Sequence, residues 1–96
     1  LNMCINNFRV SDSDFATYLT ILGYKIKNIE VKQDKKHNNK LKAFIYFEGE
    51  KIELVKLQND YINDKKVEIS LKEFSINRQK VNKLIKKKLN NYQKVV

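Results

Sequence analysis

Lysine is the residue with which this chain can do chemistry, and its lysines fall in two blocks. Lys25, Lys27, Lys32, Lys35, Lys36, Lys40 and Lys42 face only Glu30 and Asp34, a net charge of +5. Arg78, Lys80, Lys83, Lys86, Lys87, Lys88 and Lys94 face no acid at all, a net +7. The remainder is slightly acidic, so these blocks carry the whole of the formal +9. An ammonium group is a compact charge suited to phosphate oxygens. A domain this basic attracts polyanions, nucleic acid before anionic membrane. Asn28, Asn38, Asn39 and Asn77 lie in or beside these blocks. Asparagine can pair bidentately with adenine, and lysine or arginine with guanine, each pair worth roughly 1–3 kcal/mol of discrimination. An AT-rich genome also yields many lysines and few arginines, here only Arg9 and Arg78. That bias accounts for the number of lysines but not for their segregation.

Other chemistry has little to work with. The one histidine, His37, sits in a polar stretch, where it can touch phosphate when protonated. A zinc site needs at least three suitable ligands, and His37 with Cys4 does not supply them. Gly23 and Gly49 are the only glycines, too few for a phosphate-cradling loop. No catalytic constellation emerges, so the expected function is binding, with no cofactor.

The lysines must be positioned by local structure. Tyr24–Lys32 and Leu41–Glu48 are rich in β-branched and aromatic residues, as strands are. Between them Gln33–Lys40 has no apolar residue and carries Asp34, Asn38 and Asn39, which favour turns. The pair reads as a β-hairpin with a basic tip. A two-stranded ribbon fits the DNA major groove. The plainer reading is a solvated hairpin whose lysines protect its edges. The second strand is apolar on both faces, with Ala43, Ile45 and Phe47 on one and Phe44 and Tyr46 on the other. Such a strand is usually covered on both sides, here by a helix and a partner subunit. Alternatively, Phe44 and Tyr46 form a platform for unpaired bases.

Helices flank the hairpin. Ser11 is placed to cap the first, with Asp12 and Asp14 at its positive end. Phe15, Tyr18, Leu19 and Leu22 mark its face, and Gly23 stops it. Glu50–Ile62 is the second, with Ile52, Val55 and Ile62 on one side, widened by Leu54, Leu57 and Tyr61. Val67–Ile69 reads as a short edge strand. Ser70-Leu71-Lys72-Glu73 is a capping box opening a last helix to Tyr92, with Ser75-Ile76-Asn77 as a weak point for a kink. That helix is basic and amphipathic, fit to lie on DNA or to be solvated. With no tryptophan and no bulky insertion set, a membrane is not expected. The last two helices could also form a helix-turn-helix reading bases through Lys72, Asn77, Arg78 and Lys80.

Ninety-six residues make one domain with a modest core. One cysteine leaves no intramolecular disulfide, and dimerisation is an expected source of stability. Leu1 and Asn2 read as a cloning remnant before Met3, which places the domain at 3–96. No run approaches the ~20 apolar residues of a membrane span and no signal peptide is visible, so a cytoplasmic location is expected.

The succession Phe15-Ala16-Thr17-Tyr18-Leu19, Leu22-Gly23-Tyr24, Phe44-Ile45-Tyr46-Phe47-Glu48, Asp60-Tyr61, Val67 with Leu71 and Phe74, and a Lys-rich final helix resembles a family of small proteins on phages and plasmids of low-GC Gram-positive bacteria. The likeness runs from Val10 to Leu89 and consists of core positions. In size, basicity and a hairpin between helices the chain is also similar to the TcpK-type conjugation proteins of clostridial plasmids. That resemblance implies a dimeric, winged-helix-like DNA binder acting at an origin of transfer, beside other proteins of a DNA-transfer complex. The usual winged helix places its hairpin after the recognition helix. Here the hairpin comes first, which makes the hairpin the expected reader.

These readings converge on a small α+β domain of order α-β-β-α-(β)-α that binds double-stranded DNA. The expected contacts are Lys25, Lys27, Asn28, Lys32, Lys35, Lys36, His37, Asn38, Asn39, Lys40 and Lys42 on the hairpin. On the last helix they are Asn77, Arg78, Lys80, Lys83 and Lys87. The rivals are single-strand binding on Phe44 and Tyr46, and a protein–protein adaptor whose charge is incidental.

Overall fold

Alternation sets the first element. In Asn6–Val10 (β1), Phe8 and Val10 point into the core while Arg9 points out. A computed structural model of the chain describes residues 6–37, 40–63 and 69–95. Ser13–Ile21 (α1) follows, then Ile26–Asp34 (β2), a 3₁₀ turn at Lys35–His37, and Lys40–Gly49 (β3). Lys51–Ile62 (α2) and Leu71–Val95 (α3) complete an α+β domain with a three-stranded antiparallel sheet of order β1-β3-β2. The expected succession of helix, hairpin and two helices stands. The third described strand is β1 at the N-terminal side. Val67 and Glu68 lie outside the described residues, as do Asn38 and Asn39 at the hairpin tip.

The register puts Phe8 opposite Phe47 and Val10 opposite Ile45, with Ile29 across from Ile45 on the other side. These side chains join Phe15, Ala16, Leu19, Leu54 and Val81 in one buried core. β1 reaches only to the Val10–Ile45 pair, whereas β2 and β3 stay paired out to Asp34 and Lys40. The hairpin is therefore built into the sheet at its base and leaves it as a two-stranded ribbon.

The helix ends follow from single residues. The cap of α1 is Asp12 rather than Ser11. Its carboxylate accepts hydrogen bonds from the backbone N–H of Asp14 at 2.9 Å and Phe15 at 3.4 Å. Both residue types can cap, and the start of the helix at Ser13 selects Asp12. At the other end Gly23 adopts φ 101°. Its N–H donates to Thr20 O at 3.1 Å and that of Tyr24 to Leu19 O at 3.0 Å, a Schellman pair. A β-carbon on Gly23 would meet nothing within 4 Å, so a substitution there costs backbone strain alone. Gly23→Ala is expected to lower stability by about 1–2 kcal/mol, read as a urea midpoint shift at constant slope.

α2 turns the opposite way from the first of its two stripes. Leu54 is fully buried, and Leu57 and Tyr61 pack on the core, while Ile52 and Ile62 are 78% and 68% exposed and Val55 is exposed too. The helix carries two apolar stripes and only one can face inward. Leu54 wins because Gly49 leaves it room: a β-carbon there would lie 3.0 Å from Leu54 Cδ1. Tyr61 wins because its ring meets Phe15 at 5.0 Å between centroids. Burial, then the Asp12 carboxylate, push the Tyr61 phenol above its usual range.

α3 is one unbroken helix through Ser75-Ile76-Asn77. Ser70 caps it as its sequence implies, its hydroxyl accepting from Glu73 N–H at 3.3 Å. Asn77 folds back to donate to Glu73 O at 2.9 Å. Tertiary anchors then fix the helix: Arg78 pairs with Asp14 of α1 at 2.6 Å, and Val81 is buried. α3 packs chiefly on α1 and β2, whereas α2 lies against β1. The last two helices are thus not assembled chiefly on each other, as a helix-turn-helix would be.

Candidate nucleic-acid interface

The ribbon beyond Ile45 holds the first group of cations. Lys32, Lys35, Lys36, Lys40 and Lys42 are all exposed on it. Its tip is shaped by Asp34, whose carboxylate accepts from Lys36 N–H at 3.0 Å. Lys32 pairs with Glu30 at 3.2 Å, and Tyr46 donates its phenol proton to the same carboxylate at 3.2 Å. The Lys32 hydrogen bond is the largest influence and holds the Glu30 carboxyl below its ordinary range; desolvation opposes it, and the Tyr46 hydrogen bond adds to the lowering. Lys42 reaches over the Phe44 ring at 5.6 Å. The backbone of His37 belongs to the 3₁₀ turn.

The second group lies in a groove between β2 and α3. Ile26, Lys27, Asn28 and Ile29 form one wall, and Leu84, Lys87, Lys88 and Asn91 the other, around about 450 Å³. An adjoining hollow of about 390 Å³ shares Ile26 and Leu84 and adds Lys25, Asn77 and Lys80. No acidic residue lines either hollow. The helical wall is a matter of phase: Lys80, Leu84, Lys87, Lys88 and Asn91 recur at steps of three and four and so share a flank. The strand wall owes its shape to an irregularity between Ile26 and Asn28. Lys27 is the extra residue of that bulge, and bulges re-aim side chains. Asn77 and Lys80 stand beside Lys25, and Lys87, Lys88 and Asn91 beside Lys27 and Asn28. Helix and strand therefore advance together.

The expected contacts thus divide. Lys25, Lys27, Asn28, Asn77, Lys80 and Lys87 meet in the groove, and Lys32, Lys35, Lys36, Lys40 and Lys42 share the ribbon. Lys83 is exposed on α3 outside the groove lining. Arg78 is committed to Asp14 and ties α3 to α1. Lys88 and Asn91 belong to the groove although neither is among the expected contacts, Lys88 being counted only as part of its basic block. Their spacing from Lys80 and Leu84 was the available signal. Ile26 and Leu84 line both hollows, and apolar residues among ammonium groups suit a chain of phosphates joined by less polar sugars. Point charges of this kind hold position without reading sequence.

Among the described residues no three His, Cys, Asp or Glu side chains converge in a metal-holding group, and no helix is long and apolar enough to cross a membrane. The family described as a domain of unknown function (DUF5659) matches residues 5–92, nearly the whole chain. No curated protein and no solved structure matches it.

Proposed function

The chain belongs to the DUF5659 family, and for this member we propose sequence-tolerant binding of double-stranded DNA, in the service of a mobile element's DNA transfer. One observation carries the reading. Two basic blocks far apart in sequence close into a groove that no acid lines. Like charges repel, and gathering them costs stability unless an anion is to be held there. The groove lysines Lys25, Lys27, Lys80, Lys87 and Lys88 neutralise backbone phosphates. The ribbon with Lys35, Lys36 and Lys40 enters a DNA groove, whose width admits two strands.

The test is fluorescence anisotropy of a labelled generic duplex, titrated from low to physiological salt. Expected is binding whose logarithm falls linearly with the logarithm of salt, with a slope of about 0.9 per phosphate neutralised, or roughly 4–5 for the five groove lysines. Failure to bind duplex at low salt overturns the reading. A duplex from the DNA around the protein's own gene, or from an origin of transfer, then tests for a preferred site.

A further inference from the structure

We infer that the face of the sheet turned away from the helices is a second site, which takes an unpaired nucleic-acid strand by stacking its bases on Phe44 and Tyr46. The register assigns the faces. Phe8, Val10, Ile29, Ile45 and Phe47 are buried on the helix side. On the other side Arg9, Tyr46 and Asn28 share one row, Phe44 and Glu30 the next, and Lys42 and Lys32 a third. Arg9, Asn28, Lys32 and Lys42 are exposed, and Phe44 and Tyr46 are only half-buried. The central strand thus presents two aromatic rings outward, on a side where the domain has no need of them for its core.

The surroundings select the occupant. The Arg9 guanidinium lies 4.6 Å above the Phe44 ring and the Lys42 ammonium 5.6 Å from it. Such cations meet phosphates while the rings meet bases, and a guanidinium plane is itself a stacking surface. Glu30 is the acid in these rows, and it is already engaged by Lys32 and the Tyr46 hydroxyl. That hydrogen bond also fixes the Tyr46 ring. Residues two apart on a strand are about 6.6 Å apart, so two bases can stack in succession, one on Tyr46 and one at Phe44, where the Arg9 guanidinium over the ring either yields its place or serves as the stacking plane. A duplex hides its base faces and cannot use such rings. A second copy of the chain would bring Arg9, Lys32 and Lys42 against their own likes, which disfavours self-pairing through this face.

The site shares Asn28 with the groove, but Phe44 and Tyr46 lie outside the groove lining, so each can fail alone. The experiment measures anisotropy of labelled oligo-dT and of a labelled hairpin duplex with the intact chain, with Phe44→Leu plus Tyr46→Leu, and with Phe44→Tyr. Leucine keeps an apolar side chain on a half-buried site, so circular dichroism and melting are expected to stay near those of the parent. Expected is a loss of roughly 5- to 150-fold in oligo-dT affinity for each ring removed, unchanged duplex affinity, and retained oligo-dT binding by Phe44→Tyr. Equal oligo-dT binding by the double variant overturns the inference. So does absence of oligo-dT binding by the parent, and if that parent still binds duplex, the groove reading stands.

Discussion

Phe47→Ala is expected to remove a large part of the domain's stability. Phe47 is fully buried in the central strand, paired with Phe8 of β1 and with Ile26 of β2. Removing a buried phenyl ring forfeits its transfer energy and leaves a cavity, together about 3–5 kcal/mol. Domains of this size hold about 5–15 kcal/mol in all. Each kcal/mol moves the melting temperature of a 60–100-residue domain by about 4–8 °C, so a fall of roughly 12 °C or more is expected in circular dichroism. Ile52→Ala, at an equally apolar but exposed position, is expected to change stability by no more than about 0.5 kcal/mol. A small shift for Phe47→Ala would mean that the register of β3 is wrong, since a one-residue slip exchanges its faces.

What the sequence made legible was what short-range physics decides. The hairpin, the Gly23 stop and the Ser70 cap each depend on residues a few positions apart. β1 escaped notice because five residues with two apolar members have no preference strong enough to read. Pairing with the edge of β3 makes them a strand. The facing of α2 was ambiguous for a different reason: Ile52, Val55 and Ile62 form as regular a stripe as Leu54, Leu57 and Tyr61. Only the space over Gly49 and the ring of Phe15 decide between them. The weak helix formers at 75–77 stay helical because, just beyond, Arg78 is tied to Asp14 of α1 and Val81 is buried in the core.

The site divides along the same line. Charge segregation is written in the sequence, and so is the membership of each block. That Lys27 stands across a groove from Lys87 and Lys88 is a tertiary fact, set by α3 lying along β2. Arg9 was missed together with its strand, and with it the cation over Phe44. Arg78 looked like a base reader because its partner Asp14 lies in another helix, and no local pattern joins the two.

Replacing Lys27, Lys80, Lys87 and Lys88 together by glutamine is expected to weaken duplex binding by about a thousandfold at low salt. A lysine near an anionic lipid surface contributes about 1 kcal/mol, and on that scale four phosphate contacts convert to that factor. The slope of binding against salt should fall by about 3.6, four times the 0.9 of a single contact. Lys35, Lys36 and Lys40 replaced in the same way should lower it by about 2.7 if the ribbon is seated in the duplex. The two reductions apportion the phosphates between groove and ribbon, which binding of the parent alone cannot do. These four of the five groove lysines are exposed, and none closes an ion pair among those the structure shows. Their replacement relieves mutual repulsion, so the variant should melt at or above the parent's temperature. That sign separates lost function from lost fold. Lys51 and Lys56 on α2 are equally exposed and lie outside both surfaces. If their replacement by glutamine weakens binding as much per charge as the groove set does, net charge alone is at work and the groove is not the site.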